Sequence, residues 1–299
     1  HRGPDARGEF ADPGFALLGH NRLSIIDLSS NANQPFFDQA GRYAIVFNGE
    51  IYNYIELRAE LSGAHVFTTE SDTEVLLAAW IHWGLQSLDK LNGMFAFAIW
   101  DKQEKKLFAA RDRFGVKPFC YATDSGKFLF ASEIKAIHAA GFEALPNEKV
   151  WASYFAFGSY GEPDETFWEG VSQLPGGHYL TYEDGQLHIE KWYDFVAGVN
   201  NQRQDLTYEE SKEYYTNLLK DSIALRFRAD VPIGFNISGG LDSSVLLAMV
   251  NNVAGEQNNI NAYTFYTGNP DYDELPWAQK MIAHTSHALS GVLLEAQEV

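Results

Sequence analysis

A loop rich in glycine and hydroxyl groups is the strongest chemical signal in this sequence. It runs Ser238-Gly239-Gly240-Leu241-Asp242-Ser243-Ser244, between an apolar run at residues 231–237 and a helix-like run at residues 245–253. A strand that leads into a glycine turn and then a helix directs backbone N–H groups and the positive end of the helix dipole at one place. The loop therefore predicts an anion site, in the first instance for phosphate.

Two well-known phosphate motifs do not fit this loop. No lysine follows the second glycine as in a Walker loop, and the G-x-G-x-x-G spacing of dinucleotide sites is absent. The pattern is similar instead to the pyrophosphate loop of enzymes that cleave ATP between its α and β phosphates and adenylate a carbonyl oxygen. The alternative is a serine-rich helix start capped by Asp242 or Ser243, which would explain only one or two of these residues.

A second group of polar residues stands in the first part of the chain. An amino-acid ligand needs a cation for its carboxylate, acids for its ammonium group, and N–H donors for an oxyanion formed at its side chain. The sequence offers candidates for each role: Arg22, Glu50 with Asp72, and Asn48 with the Gly49 amide. Each also has an ordinary explanation, because Asn-Gly is typical of a hairpin turn, an aspartate favours a helix start, and an arginine often forms a surface ion pair.

Short β-type runs separated by turn residues predict the scaffold for these polar groups. Candidate strands rich in β-branched or aromatic residues lie at 15–19, 23–26, 43–47, 94–100, 106–110, 128–131, 178–182 and 187–193. Helices are predicted at 51–61 and 72–83, the second opened by a capping box of Ser71 and Glu74. Many strands with few helices indicate an α+β domain with layered, mostly antiparallel sheets.

The pattern changes after residue 196. Residues 197–205 are polar and without periodicity, which predicts a linker, and a capping box of Thr207 and Glu210 opens a long helix to about residue 227. Strands at 231–237, 260–266 and 292–294 then alternate with helices at 243–253 and 275–284. This order predicts a parallel α/β sheet, with the Ser238 loop at the carboxyl end of a strand, where such sheets bind ligands.

Composition narrows the class of protein. The 299 residues include 40 acidic and 22 basic ones, a net charge of −18, which disfavours nucleic acid and anionic membranes as partners. Neither a membrane-spanning apolar run nor a signal-peptide pattern is visible, so we expect a cytoplasmic protein that acts on small molecules. The single cysteine, Cys120, is interpreted as a buried apolar residue, and His284 with His287 lacks the further ligands that a metal site needs.

Six motifs together resemble the glutamine-hydrolysing asparagine synthetases, in the family's order and over essentially the whole chain. They are His1-Arg2-Gly3-Pro4-Asp5, Arg22-Leu23-Ser24-Ile25-Ile26-Asp27, Asn48-Gly49-Glu50-Ile51-Tyr52-Asn53, Gly93-Met94-Phe95-Ala96-Phe97, residues 111–118 and the Ser238 loop. The resemblance implies an Ntn-type, class-II glutamine amidotransferase domain at 1–196, a linker at 197–205, and an incomplete adenylating domain of the ATP-pyrophosphatase type at 206–299.

The resemblance also implies two sets of site residues. The glutamine pocket would be Arg22, Leu23, Ser24, Ile25, Ile26, Asn48, Gly49, Glu50 and Asp72, with Asn48 and Gly49 as the oxyanion hole. The ATP site would be Ile237, Ser238, Gly239, Gly240, Leu241, Asp242, Ser243, Ser244 and Phe265, although Ile237 and Phe265 are equally explained as plain core. Asp242 would help to hold Mg²⁺ on the phosphates. Asp273-Glu274 also resembles the synthetase half, and residues 111–118 could as easily be a salt-bridged turn.

The implied reaction is the ATP-dependent amidation of aspartate to asparagine, with ammonia from glutamine and with AMP, pyrophosphate and glutamate as the other products. In the family a terminal cysteine ahead of the His-Arg-Gly-Pro-Asp motif attacks glutamine, and the synthetase domain continues beyond the equivalent of Val299. We therefore expect a fragment of a longer protein, inactive alone. Two alternative functions stay open: a β-lactam synthetase-like enzyme without glutaminase activity, and a non-enzymatic glutamine- or nucleotide-binding remnant. Assembly as a homodimer is also possible.

Overall fold

The computed structural model describes residues 2–124, 126–201, 205–254, 260–285 and 287–295. The chain divides into two compact units, His1–Arg203 and Gln204–Val299, so the division lies within the predicted linker. The first part of the predicted linker is helical, since residues Phe195–Asn201 form a helix. Its start is capped by Asp194, whose Oδ1 accepts a hydrogen bond from the Ala197 N–H at 2.9 Å.

Three antiparallel sheets form the first unit. They have the strand orders β11-β10-β6-β5-β4-β3, β8-β7-β9 and β1-β2. Their bounds are β1 Ala6–Asp12, β2 Ala16–Arg22, β3 Phe36–Phe37, β4 Tyr43–Ile51, β5 Gly93–Asp101, β6 Lys106–Arg111, β7 Cys120–Asp124, β8 Lys127–Ala131, β9 Val171–Gln173, β10 His178–Glu183 and β11 Gln186–Lys191. The predicted α+β fold class with antiparallel sheets is thereby confirmed.

Helices accompany these sheets in the first unit. They are α1 Tyr54–Leu61, α2 Asp72–Trp83, α3 Ser87–Lys90, α4 Ile134–Ala139, α5 Glu148–Phe157 and α6 Phe195–Asn201. Alternate residues of the central strands supply two cores: Ile45, Phe47 and Phe97 pack with apolar residues of α1 and α2, whereas Ala44 and Val46 pack with residues of β2 and β10 on the opposite face. This alternation determines which face of β4 each polar residue occupies.

Some predicted elements of the first unit begin or end elsewhere. The strand predicted at 23–26 is absent, since those residues belong to the loop around the Arg22 side chain, and the helix predicted from residue 51 begins at Tyr54 because Ile51 still belongs to β4. Helix α2 has the predicted bounds and Ser71 caps it. The reciprocal half of the capping box is not formed, because the Glu74 carboxylate accepts from the N–H groups of Thr68 and Thr69 instead.

The second unit has the predicted parallel sheet. Its strands are β12 Gly234–Asn236, β13 Asn261–Tyr266 and β14 Ala288–Leu293, in that order, and its helices are α7 Tyr208–Arg226, α8 Leu241–Ala254 and α9 Leu275–Ile282. Both hydrogen bonds of the capping box between Thr207 and Glu210 are formed. Helix α9 ends before His284, so that residue and His287 do not share a helix, and no cluster of metal-binding side chains occurs within the described ranges.

Two further expectations concern single features. Cys120 is buried in β7, and burial raises the pKa of its thiol, as suits an apolar packing residue rather than a nucleophile. In the parts of the chain that the structure describes, none of the helices combines the length and apolar character that crossing a membrane requires.

Candidate functional site

One edge of β4 is open where the candidate residues lie. Strand β3 pairs with Ala44 and Ile45 only, so the remainder of β4 has a strand partner on one side, β5. Side chains occupy the other side: the Phe47 N–H donates to Gln34 Oε1 at 2.6 Å, and the Ile51 N–H donates to an oxygen of Asp72 at 2.9 Å.

The alternation of backbone groups along β4 places the Gly49 N–H at this open edge. In an antiparallel ladder the N–H and C=O of one residue point to the same side, and the side alternates along the strand. Gly49 lies midway between Phe47 and Ile51, which both donate outward. Among the described residues no hydrogen bond outside the sheet is found for its N–H. A backbone donor is therefore available here to a ligand.

Glycine is required at position 49 because the strands approach closely. A Cβ there would lie 2.2 Å from the Met94 carbonyl oxygen and 2.8 Å from the Phe95 Cα. Asn48 precedes it in the same strand, and its Nδ2 donates to Ser132 Oγ at 3.2 Å. Since both residues lie inside β4, the hairpin-turn explanation of Asn-Gly is excluded.

A buried acid closes one end of this edge. Asp72 is 5% exposed at the start of α2, and burial raises the pKa of its carboxyl to about 7, with the nearby Glu50 carboxylate acting in the same direction. The hydrogen bond from the Ile51 N–H opposes this rise without cancelling it. A cation placed between the two acids would favour their ionised forms.

The Arg22 side chain is buried and organises the loop that follows it. Its Nη1 donates to the Ser29 carbonyl at 2.8 Å and to Asn33 Oδ1 at 3.0 Å. Its Nη2 donates to the carbonyls of Ile26 and Asp27. All four Nη hydrogens are thus matched with acceptors of the loop. The guanidinium therefore holds the loop in shape.

Two acidic residues join this loop to neighbouring segments. The Asp5 carboxylate accepts from the Ser24 N–H at 2.7 Å, and Asp27 Oδ2 accepts from the Glu70 N–H at 2.8 Å, two residues before Asp72. The remaining predicted pocket residues differ in exposure: Leu23 is exposed, Ser24 and Ile25 are half-buried, and Ile26 is buried. The loop and the start of α2 are therefore tied together beside β4.

The sequence did not point to several residues with a clear structural role at this edge. Gln34, His20 and Ser132 were not predicted, because their roles arise from tertiary contacts with β4 and have no motif of their own. Asp5 and Asp27 did stand inside the recognised motifs, so their carboxylates could have been singled out as partners for loop N–H groups.

The run at residues 111–118 is a turn held by backbone contacts, not by salt bridges. The Arg111 guanidinium donates to the carbonyls of Gly115, Lys117 and Leu174. The Asp112 carboxylate accepts from backbone N–H groups, including those of Phe95 and Lys117. The alternative of a turn is therefore supported, but the described partners of Arg111 and Asp112 are mainly backbone groups in place of a salt bridge.

In the second unit the Ser238 loop joins β12 to α8. Gly239 has φ +75° there, and a Cβ would lie 2.5 Å from the Trp277 Cβ, so only glycine fits without a shift. The loop hydroxyls bond within the loop: Ser238 N–H donates to Ser243 Oγ at 3.3 Å, and Ser243 Oγ donates to the Gly240 carbonyl at 3.2 Å. The N–H groups of Leu241, Asp242 and Ser243, the first three residues of α8, have no carbonyl partner within the helix.

The predicted nucleotide contacts fall into two classes. Ile237 is 2% exposed and packs in the core of the second unit, whereas Phe265 is 60% exposed on β13. Asp242 is exposed in the first turn of α8. Asp273 accepts from the Thr267 N–H and hydroxyl, at 2.5 and 2.8 Å, and so holds the loop after β13.

Comparison with known proteins identifies two matching families. The glutamine amidotransferase domain family matches residues 1–193, and the asparagine synthase family matches residues 215–299. These ranges correspond to the two compact units.

Curated relatives match most of the chain. "Asparagine synthetase [glutamine-hydrolyzing] 3" of Bacillus subtilis is 34% identical over 295 residues, which cover 94% of this chain and 47% of that protein. "Amidase chry2" of Gibberella zeae is 39% identical over 255 residues, which cover 85% of this chain and 37% of that protein. The chain thus spans less than half the length of either relative.

Proposed function

This chain belongs to the glutamine amidotransferase family, and we propose that it is part of a glutamine-hydrolysing asparagine synthetase. In this proposal the first unit takes ammonia from glutamine, and the second takes part in the ATP-dependent amidation of aspartate. The observation that supports it most is the outward Gly49 N–H on β4, beside the buried acid Asp72 and the loop around Arg22.

Each end of a glutamine molecule has a proposed partner at this edge. The α-ammonium group would lie near Asp72 and Glu50, because a cation there would relieve the repulsion between these two carboxylates. The α-carboxylate would face the Arg22 charge and the loop at residues 23–26. The side-chain carbonyl would accept from the Gly49 N–H and from the Asn48 amide, and these donors would stabilise the oxyanion formed during thiol attack.

The nucleophile is not among the described side chains of this site. Cys120 is the one cysteine of the chain, and its burial and raised pKa make it unsuitable. We propose that the whole protein supplies a cysteine thiolate, which forms a thioester with the glutamine side chain as ammonia leaves, and that water then releases glutamate.

The second unit is proposed to bind ATP at the Ser238 loop. The glycine turn and the first turn of α8 offer N–H donors for pyrophosphate, and the helix dipole favours the negative charge. Asp242 is an exposed carboxylate at this point. Mg²⁺ in nucleotide sites is commonly held by one or two carboxylates together with phosphates and water, so this donor set suits the ion. Bound Mg²⁺ would neutralise phosphate charge while aspartate is adenylated. Ammonia would then displace AMP.

The first experiment is to determine the intact mass and terminal sequence of the native gene product, and then to assay that product. With glutamine, aspartate and ATP it is expected to form glutamate, asparagine, AMP and pyrophosphate in equal amounts. Adenylation without glutamate release would instead indicate a synthetase-like relative, and binding heats without any product would indicate a binding protein. A cytoplasmic location and a homodimer stay predictions, testable by fractionation and light scattering.

A further inference from the structure

Two side chains hold both polar groups of Phe47, two residues before Gly49. Gln34 Oε1 accepts from the Phe47 N–H at 2.6 Å, and His20 Nε2 lies 3.1 Å from the Phe47 carbonyl oxygen. They occupy the positions that a neighbouring strand would take next to β4. Side chains instead of a strand thus determine how this edge begins.

The chemistry of the contact determines that Nε2 of His20 carries a hydrogen. A carbonyl oxygen can only accept, so Nε2 must donate its hydrogen, and Nδ1 then has a lone pair in a neutral ring. Nδ1 is buried and has no partner among the described residues. Burial and the nearby Arg22 charge both lower the pKa of His20, which favours the neutral ring.

The same contacts reach the other parts of the site. The Phe47 carbonyl and the Asn48 N–H belong to one peptide plane, so a fixed carbonyl fixes the direction in which β4 continues to Gly49. Gln34 Nε2 in turn donates to Thr73 Oγ1 at 3.3 Å, next to Asp72 on α2. The two side chains therefore connect the proposed oxyanion donor with the proposed ammonium partner.

We propose that His20 and Gln34 are positioning residues of the glutamine site, which hold the Gly49 N–H and the Asn48 amide where the glutamine side-chain carbonyl requires them. This inference rests on the proposed function of the first unit. It assigns neither residue a contact with the substrate, because both act through the Phe47 backbone.

The test compares two ligands that differ at the group in question. L-Glutamine has the side-chain carbonyl, and L-norleucine has the same α-groups and a chain of similar length without it. Calorimetry gives the ratio of their dissociation constants, which reports the contact with the carbonyl. In His20→Phe the ring stays and the donor is lost, so we expect the preference for glutamine to fall by about fivefold to tenfold, the value of one hydrogen bond.

Further variants separate positioning from general damage. His20→Gln places an amide N–H near the position of Nε2 and is expected to restore most of the preference. Gln34→Met removes the acceptor of the Phe47 N–H and should act like His20→Phe. The matched control is His138→Phe, because His138 Nδ1 lies 3.1 Å from the Phe142 carbonyl oxygen and its Nε2 is also buried without a partner. That variant should leave the preference unchanged.

The outcomes distinguish the two levels of the argument. If the unmodified chain binds neither ligand, the proposed glutamine site is wrong and this inference with it. If the chain prefers glutamine and His20→Phe prefers it equally, or loses both ligands to the same extent, the site stands and the positioning role is wrong. Should His20→Phe lose its cooperative unfolding transition, His20→Asn, whose shorter amide does not reach the Phe47 carbonyl, provides the same comparison.

Discussion

Replacing Asp72 with asparagine should stabilise the unliganded chain at neutral and alkaline pH and at the same time remove its affinity for glutamine. The carboxyl is 5% exposed, and burial together with Glu50 raises its pKa from 3.8 to about 7. An asparagine oxygen can still accept the hydrogen bond from the Ile51 N–H, so the substitution removes the ionisation and keeps the contact.

The expected size follows from the change in pKa. A rise from 3.8 to about 7 corresponds to about 4 kcal/mol, since each pKa unit is worth about 1.4 kcal/mol. The folded chain keeps a proton that the unfolded chain has already released between pH 3.8 and about 7, so the free energy of unfolding falls as pH rises through that window. The variant avoids this fall. Its advantage should grow from nearly zero at about pH 4 to about 4 kcal/mol at about pH 8.

Urea unfolding followed by tryptophan fluorescence at several pH values measures this advantage, and titration with L-glutamine measures binding in the same samples. Asp205→Asn is the control, because Asp205 is an exposed aspartate and its replacement should change neither quantity. An Asp72→Asn variant that is no more stable than the unmodified chain at alkaline pH would contradict the cost assigned to ionising this buried carboxyl. Unchanged affinity for glutamine would contradict its proposed contact with the α-ammonium group.

Three other substitutions test the remaining close contacts. Gly49→Ala should lower the free energy of unfolding by about 3 kcal/mol through the clash with the Met94 carbonyl, whereas Gly63→Ala, with open space around it, should lower it by less than about 1 kcal/mol in urea unfolding. Gly239→Ala should abolish ATP binding measured by calorimetry, because backbone strain at φ +75° and the clash of the new Cβ with Trp277 would displace the Ser238 loop. Arg22→Ala should lower the free energy of unfolding by about 3 kcal/mol or more, because four hydrogen bonds to the loop are lost. An unchanged unfolding midpoint would contradict the role of Arg22 in holding this loop.

Local composition and capping signals predicted the main parts of the central elements, because both act within a few neighbouring residues. The apolar alternation of β4 and β5 separates two cores, and α2 begins at Asp72 as predicted since Ser71 caps it. The fold class of both units followed from the order of such elements. Short strands such as β3 and β9 were missed because two or three residues contain no period to detect.

The candidate site was predictable in its residue types but not in its geometry. The residues Asn48, Glu50 and Asp72 are visible in the sequence, whereas the availability of the outward Gly49 N–H depends on where β3 stops. The four acceptors that surround the Arg22 guanidinium are mostly backbone carbonyls, which any residue type supplies. No sequence pattern could indicate that this arginine is matched within its own loop.

The open edge of β4 also has a consequence for folding and solubility. A strand edge without a partner is a template for pairing with another chain. Residues 43–47 of β4, of which Ala44 and Ile45 pair with β3 in the folded chain, have the apolar, aromatic and β-branched composition that favours aggregation. The groups that cover the edge come from distant positions, 27 residues away for His20 and 21 for Asp72. During refolding this strand is therefore exposed until β2 and α2 have docked. The yield of refolded protein should fall steeply as protein concentration rises.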